Sequence, residues 1–482
     1  MLSRQMRRAD APRMRWRNAS SVSTLLATSA AAVLGGLVLP AGAHALALNC
    51  LVPAGHASGG GQSALRFGIY PGGPAGSVNP TAAPRPENPA KRLSALQALR
   101  GSEPFVVRLY SAWTGDAAAD DVSGWLDGEI ARYTEAGLQV ELAVRYKPAT
   151  AAGPAEFADY VRGIVRRYGA DPGFVSLQVT NEANLPGAPG ASDGAFPGAA
   201  EAVVKGVIAA KDQSRRDGDA LRVGFSWGYD ERPLAAGEFW AQLGRLGGAP
   251  FAEAVDWVGL DTYPGTWTPQ LAIGSLLPGL AAGAVKESVR TLRDCLMPMA
   301  GLGGATSIHI AENGFPTGPG RSEELQAQVL DAMVRAVLAI RETYGVSDYR
   351  WFDLRDSSSA DPNIESQYGI TRDDYSPKPA FATYRDLIAG HGGGADAAPA
   401  PSAASCRRSP VKVVVPRWKS RRAATLVVQV GKKVVKRLRR QTMPRSVRIS
   451  MRSGRATVRL KYATRSDGRR ISRSARRSYR VC

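Results

Sequence analysis

The chain has 482 residues, of which 44% are hydrophobic and 22% are charged, and it carries a formal net charge of +20. Because a single hydrophobic core rarely grows beyond about 250–300 residues, this length predicts one large folded unit and a smaller one. Residues 406–482 hold 26 Lys and Arg against one acid, a net of +25, and residues 1–47 carry +5, which leaves about −10 for residues 48–405. An acidic main unit with a basic tail argues against a nucleic-acid enzyme, whose basic surface would surround its site.

The first 47 residues have the pattern of a secretory signal peptide. Six arginines precede an apolar run at residues 25–39, and small residues follow at Ala43, Ala45 and Ala47. This order predicts export and removal of the segment, and hence a secreted, extracellular protein with no transmembrane segment after processing. A membrane anchor is the alternative, but the run is short and is diluted by Gly and Ser.

The four cysteines are Cys50, Cys295, Cys406 and Cys482. An even number in an exported chain predicts disulfides. Cys406 and Cys482 bracket the C-terminal segment, so we expect them to pair, which leaves Cys50 for Cys295. Spacing alone does not prove either bond.

Eight apolar runs recur along the chain at steps of about 35 to 50 residues, the length of one strand, one helix and two loops. They lie at residues 65–70, 105–110, 140–144, 175–180, 221–227, 255–262, 308–311 and 349–354. Helical spacing of apolar residues separates them, most clearly at residues 122–136, 155–168 and 323–344. Eight such units predict a (β/α)8 TIM barrel over residues 48–390, with a doubly wound open sheet as the alternative.

A change in composition follows the last predicted helix. Residues 391–405 are rich in Gly, Ala and Pro without apolar periodicity, which is typical of a linker. Beyond it, short runs at residues 411–415, 425–430, 446–451 and 456–462 alternate apolar and basic side chains in places. Residues 406–482 therefore predict a small, sandwich-like all-β domain with one solvated basic face.

Two glutamates end apolar runs in the same way. Glu182 follows the fourth run and Glu312 the seventh. The carboxyl ends of all strands in a closed barrel meet at one mouth, so we expect the two carboxyl groups to face each other there. Glycoside hydrolysis needs such a pair, one protonated as an acid and the other ionised.

The ordered set of residues resembles the retaining glycoside hydrolases of clan A, the (β/α)8 superfamily that includes families 5 and 39. The set comprises Arg108 on the second unit, Asn181-Glu182 on the fourth, Glu312 on the seventh and Trp351 on the eighth. The resemblance implies that Glu182 is the general acid/base and Glu312 the nucleophile. It also implies that Asn181 binds the sugar 2-hydroxyl, that Arg108 and Tyr263 hold the nucleophile, and that Trp351 is a sugar platform.

One position departs from the family pattern. Family 5 enzymes commonly carry a His near the sixth strand, where this chain has Asp261-Thr262-Tyr263. Asp261, Asp353 and Asp356 are further acids predicted at the same mouth. Other aromatic residues follow strand ends and are candidates to line a sugar cleft, Trp227 first and then Trp113, Tyr229 and Trp267. His309 is expected to be a core histidine, and no His or Cys spacing predicts a metal or cofactor.

The sequence supports two hypotheses from different classes. The first is a secreted retaining β-glycosidase that acts on a polysaccharide or oligosaccharide by double displacement. The second is a non-catalytic carbohydrate or cell-envelope binding protein built on a barrel. In either case residues 406–482 are expected to bind an anionic cell-wall polymer, with a solubilising module as the alternative and no specific nucleic-acid partner.

Overall fold

The computed structural model describes residues 64–72, 83–118, 120–121, 123–392, 411–414, 424–430, 433–440, 446–450, 454–466 and 469–481. The predicted signal peptide and linker lie outside these residues, apart from residues 391 and 392. Cys50, Cys406 and Cys482 also lie outside them. Cys295 is buried and is not a free cysteine, but both predicted pairings stay predictions.

Eight parallel strands close into a barrel in strict chain order, with the eighth strand paired to the first. They are β1 (Arg66–Ile69), β2 (Val106–Trp113), β3 (Gln139–Tyr146), β4 (Phe174–Val179), β5 (Arg222–Gly228), β6 (Trp257–Thr262), β7 (Ser307–Asn313) and β8 (Val346–Trp351). The predicted barrel is confirmed and the open-sheet alternative is wrong, because β1 has a hydrogen-bonded neighbour on each side.

A helix follows each strand of the barrel. The helices are α1 (Pro89–Arg100), α2 (Ser123–Glu135), α3 (Pro154–Tyr168), α4 (Ala199–Asp217), α5 (Pro233–Ala254), α6 (Leu277–Thr291), α7 (Glu323–Tyr344) and α8 (Pro379–His391). Their ends follow local chemistry: Ser322 caps α7 by accepting from the Leu325 amide, and Gly345 ends it in the left-handed region at φ 64°. No helix within the described residues is long and apolar enough to cross a membrane.

The barrel interior carries ionic side chains in place of the usual layers of aliphatic residues. Asp348 contacts both Arg66 and Arg350 at 2.6 Å, and Arg350 reaches Glu141 at 3.4 Å. Burial alone would raise the pKa of Glu141, but Arg350, His309 and Arg108 outweigh it and hold that pKa well below its usual range. We call these buried ion pairs the ionic column; losing one partner of such a pair typically costs about 3–5 kcal/mol, because the other charge is left buried without a counter-charge.

His309 belongs to the same column. Its side chain is fully buried, with Nε2 3.0 Å from Asp348, and its ring stacks on Trp257 at 4.1 Å. Burial lowers its pKa, although Asp348 opposes the shift. These contacts are those expected of a core histidine.

The C-terminal region is antiparallel β structure, as predicted. Its strands are β9 (Val411–Val414), β10 (Ala424–Val430), β11 (Lys433–Arg440), β12 (Ser446–Ile449), β13 (Gly454–Ser466) and β14 (Arg469–Val481), arranged as a four-stranded sheet β11-β10-β13-β14 and a two-stranded sheet β12-β9. Side chains of both sheets share one small core, which includes Val413, Leu426 and Val458. The predicted domain boundaries stay predictions.

Candidate active site

Glu182 lies three residues beyond the end of β4, at the carboxyl end of the barrel. The regular strand ends at Val179 because Thr180 has a left-handed backbone at φ 66°, and Glu182 is itself left-handed at φ 47°. Such conformations are uncommon without glycine and persist only where the surroundings hold them. The Glu182 amide donates to Ser226 Oγ at 3.1 Å, and its carboxylate accepts from Ser192 Oγ at 2.6 Å.

The carboxyl group of Glu182 is suited to carry a proton. Burial, followed by the negative charge of Glu312, raises its pKa from an ordinary value of 4.5 to about 8. Ser192 and Arg145 oppose this shift only in part. Glu182 is therefore protonated at neutral pH, which is the state that a general acid requires.

The loop that follows Glu182 is held by a buried carboxylate that the sequence did not single out. Asp193 Oδ2 accepts from the backbone amides of Tyr146, at 2.7 Å, and Asn181, at 2.8 Å. Its other oxygen contacts Arg145 Nε at 2.9 Å. Asp193 thus ties the Asn181-Glu182 turn to the end of β3.

Asn181 itself is almost completely buried. Its side-chain amide donates to the Ala191 carbonyl at 3.0 Å and its oxygen accepts from Gln178 at 3.2 Å. This leaves one N–H of Asn181 for a ligand, so the predicted contact with a sugar hydroxyl is compatible with the geometry.

Glu312 lies on β7 and is turned into the mouth by a bulge. The register between β6 and β7 shifts here, with Leu260 opposite Ile310 but Asp261 opposite Glu312, so that Ala311 is an extra residue. Three donors converge on the carboxylate: Tyr110 Oη at 2.5 Å, Tyr263 Oη at 2.7 Å and Arg108 Nη2 at 3.3 Å. An ionised carboxylate is a pure acceptor, so this surrounding suits the charged form.

Arg108 was predicted on the second unit, and it is the third residue of β2, fully buried in the lumen. Its guanidinium still reaches both carboxylates, with Nη1 2.8 Å from Glu141 and Nη2 3.3 Å from Glu312. The structure therefore brings Arg108 and Tyr263 together around Glu312, as the resemblance implied, and adds Tyr110.

The two glutamates and Asp261 form a cluster. One carboxylate oxygen from each of Glu182, Asp261 and Glu312 lies within 4.8 Å of the other two. Burial, then the charges of Glu312 and Glu182, raise the pKa of Asp261 well above its usual range. Three oxygens at this spacing could also hold a cation, which the His and Cys pattern of the sequence did not suggest.

The other two acids predicted at the mouth have different surroundings. Asp356 is buried against Lys378 Nζ at 2.8 Å, an ion pair that ties the segment after β8 to the start of α8. Asp353 is 2% exposed, and burial and the charge of Asp356 raise its pKa well above the usual range. Of the three predicted acids, only Asp261 joins the two glutamates.

Two tryptophans predicted to bind sugar do not fit that role. Trp227 and Trp351 are both fully buried, and Trp227 packs on Trp240 of α5 at 6.3 Å. Neither side chain presents a face to a ligand, because both belong to the core between the strands and the helices.

A partly exposed aromatic pair occupies the mouth instead. Phe352, the residue after Trp351, stacks on Tyr70 with ring centroids 5.1 Å apart and an interplanar angle of 10°. The Phe352 ring also makes an edge-to-face contact with Tyr263, which hydrogen-bonds to Glu312. Phe352 and Tyr70 are therefore better placed than Trp351 to form a sugar platform, and strand alternation counted from buried Tyr349 could have indicated this.

A chain of hydrogen bonds through buried side chains connects the two glutamates. Arg108 Nη2 donates to Gln178 Oε1 at 2.8 Å, and Gln178 Nε2 donates to Ser226 Oγ at 3.1 Å, the same atom that accepts from the Glu182 amide. Gln178 and Ser226 are both fully buried. The sequence showed them only as polar residues within apolar strands.

No protein-family model and no curated protein sequence matches this chain. Among solved structures, GH5_18 from Streptomyces cattleya in complex with GlcNAc is 18% identical over 68% of this chain and 80% of its own, with a TM-score of 0.47. A family 39 glycoside hydrolase from the gut symbiont Bacteroides cellulosilyticus WH2 is 13% identical over 84% of this chain and 73% of its own, with a TM-score of 0.45.

A calcium-binding mutant of Bacteroides uniformis β-glucuronidase 2 is 11% identical over 88% of this chain, with a TM-score of 0.44. This chain spans only 46% of that protein's length.

Proposed function

We propose that this protein is a secreted retaining glycoside hydrolase that cleaves β-glycosidic bonds in a polysaccharide or oligosaccharide. The observation that carries the proposal is the separation of the two carboxyl groups. Retaining enzymes hold them about 5–5.5 Å apart and inverting enzymes about 6.5–9.5 Å apart. Glu182 and Glu312 each have a carboxylate oxygen within 4.8 Å of one on the other, a closeness that favours the retaining arrangement.

In the first half of the proposed reaction, the carboxylate of Glu312 attacks the anomeric carbon while Glu182 donates its proton to the departing oxygen. A covalent glycosyl-enzyme forms and the glycosidic bond breaks. Tyr110, Tyr263 and Arg108 hold Glu312 in place for the attack through their hydrogen bonds to its carboxylate.

In the second half, Glu182 is ionised and accepts a proton from water, which attacks the anomeric carbon and releases Glu312. Departure of the charge from Glu312 during the intermediate removes the repulsion that raises the Glu182 pKa, so this residue is better able to remain ionised until water reacts. One residue can thus act first as acid and then as base.

Replacement Glu312→Gln tests the nucleophile. It keeps the size of the side chain and removes its charge, so hydrolysis should fall by at least about 10⁴-fold while the variant still folds, since Arg108 keeps its contact with Glu141. The assay is a screen on β-glucan, mannan, xylan and galactan with analysis of the anomer released. Full activity of the variant, or inversion of the anomer, would refute the assignment.

The same screen separates catalysis from binding. A carbohydrate or cell-envelope binding protein would retain these polysaccharides without releasing reducing sugar from any of them.

Repeating the active assay after treatment with EDTA tests whether a cation at the three carboxylates is needed, because a metal-independent double displacement is unaffected by chelation.

We also propose that residues 406–482 bind an anionic cell-wall polymer. Lys436, Arg437, Arg439 and Lys461 are exposed cations of the four-stranded sheet. Arg437 and Lys461 both lie opposite Val427, one on each neighbouring strand, so like charges share a row across the sheet. A polyanion would supply the counter-charge that these exposed cations lack within the described strands.

A further inference from the structure

Ser226 occupies the point where the two halves of the candidate site meet. Its hydroxyl oxygen accepts one hydrogen bond from Gln178 Nε2 and one from the Glu182 amide, each at 3.1 Å. Ser226 also lowers the pKa of Asp261, against the larger effect of burial, which raises it. The side chain is fully buried, so water does not compete for these bonds.

The backbone around the Glu182 amide is strained, so contacts such as this hydrogen bond have to hold it in place. Thr180 and Glu182 both have positive φ values, of 66° and 47°, and neither is glycine. Left-handed conformations at such residues cost about 1–3 kcal/mol each and are kept only by surrounding contacts. Ser226 is the side chain that fixes Glu182 at its amide, and Gln178 fixes Thr180 by donating to its carbonyl at 2.8 Å.

We propose that Ser226 is a positioning residue that sets the orientation of the general acid Glu182, and that Gln178 connects it to Arg108 on the nucleophile side. The inference rests on the proposed glycosidase function and names a residue that acts through Glu182 without touching substrate. Loss of the Ser226 hydroxyl frees the Glu182 amide, so that the turn relaxes and the acid moves out of line with the leaving oxygen.

The test compares Ser226→Ala with the matched control Ser176→Ala. Ser176 is also a fully buried serine of the lumen, on the same side of β4 as Gln178, and its hydroxyl has no hydrogen-bond partner among the described residues. Both changes remove one hydroxyl oxygen, so any loss of stability from cavity formation should be similar. Melting temperatures of both variants show that they are folded.

The assay uses phenyl and 2,4-dinitrophenyl β-glycosides of glucose, mannose, xylose and galactose. A phenyl leaving group depends on proton donation, whereas dinitrophenolate leaves without it. We expect Ser226→Ala to lower kcat/KM, which reports the step up to departure of the leaving group, by about 10- to 100-fold on the phenyl glycoside but by less than about threefold on the dinitrophenyl glycoside. Ser176→Ala should match the wild type on both.

Equal losses on both glycosides would overturn the inference, because they would indicate general damage or an effect on the nucleophile. A crystal structure of Ser226→Ala gives a second criterion that needs no substrate. A Thr180–Glu182 backbone unchanged from the wild type would also overturn it. Failure of the glycosidase proposal looks different, since the wild type would then hydrolyse none of the glycosides.

Discussion

Glu182 shows at the scale of one residue how a buried carboxyl group lowers stability. Its pKa in the folded protein is about 8, against an ordinary value of 4.5, because burial and Glu312 disfavour its charge. The folded state therefore holds the proton more tightly than the unfolded state. Its contribution to stability is present below about pH 4.5 and is lost as the pH rises towards 8.

Replacement Glu182→Gln should remove this penalty. At pH 9 we expect the free energy of unfolding to rise by about 2–4 kcal/mol, somewhat less than the full pKa shift because the side chain is only partly buried. At pH 5 the change should be small, since Glu182 is then protonated and neutral like Gln. Thermal melts at both pH values measure the difference.

The control for this prediction is Glu135→Gln, at an exposed position at the end of α2. It should change stability by less than about 0.5 kcal/mol at either pH. A gain for Glu182→Gln that is the same at pH 5 and pH 9 would contradict the proposed cause.

The same pKa predicts that glycosidase activity declines as the pH rises through about 8, because the acid loses its proton.

At the residue scale, the sequence predicted that Glu182 and Glu312 lie together at the mouth but not how their side chains are oriented. Both glutamates were recognised because each follows an apolar run. Their orientation depends on the left-handed Thr180 and on the bulge at Ala311, and neither feature changes the apolar pattern. Trp351 was misjudged because a large aromatic residue at a strand end serves equally well as core packing.

At the scale of single elements, β5 illustrates how tightly the lumen is packed. Gly224 has no room for a side chain: an added Cβ would lie 2.3 Å from the Trp257 carbonyl and 2.4 Å from its ring. That ring stacks on His309 within the ionic column, so it cannot move aside without breaking buried contacts.

Replacement Gly224→Ala should therefore destabilise the protein by about 3 kcal/mol. The matched control is Gly128→Ala on the exposed side of α2, where an added Cβ meets nothing within 4 Å. There alanine should stabilise by about 0.5–1 kcal/mol, because it favours the helix over the unfolded chain. Chemical denaturation of the two variants gives both values, and destabilisation by both would point to a general intolerance of alanine.

Element prediction succeeded for the barrel and was incomplete for the C-terminal region. Each barrel strand has an apolar run because it is buried on both sides, and such runs are visible in a sequence. Strands β11 and β14 were missed because they are rich in arginine and lysine and carry few apolar residues. Their pairing with β10 and β13 defines them, and pairing is not a local property of the sequence.

At the scale of the whole molecule, positive and negative charges are concentrated in different parts of the chain. Residues 406–482 carry +25, whereas residues 48–405 total about −10. The described C-terminal strands contain no Asp or Glu, so nothing within them neutralises Lys436, Arg437 or Lys461. Attraction between such a surface and a polyanion acts through solvent and is screened by salt, with a Debye length of about 10 Å at 0.1 M.

Binding of the full-length protein to cell-wall sacculi should therefore weaken steeply with salt. Raising NaCl from about 0.05 to 0.5 M should lower the affinity at least tenfold, while hydrolysis of a neutral glycoside changes less than about twofold, because buried charges are screened far less. Co-sedimentation measures the first quantity and a chromogenic assay the second. Sacculi stripped of their phosphodiester polymers are the control and should bind weakly at either salt concentration. Attachment that is insensitive to salt, or equal on stripped sacculi, would mean that the C-terminal strands recognise the wall through something other than their charge.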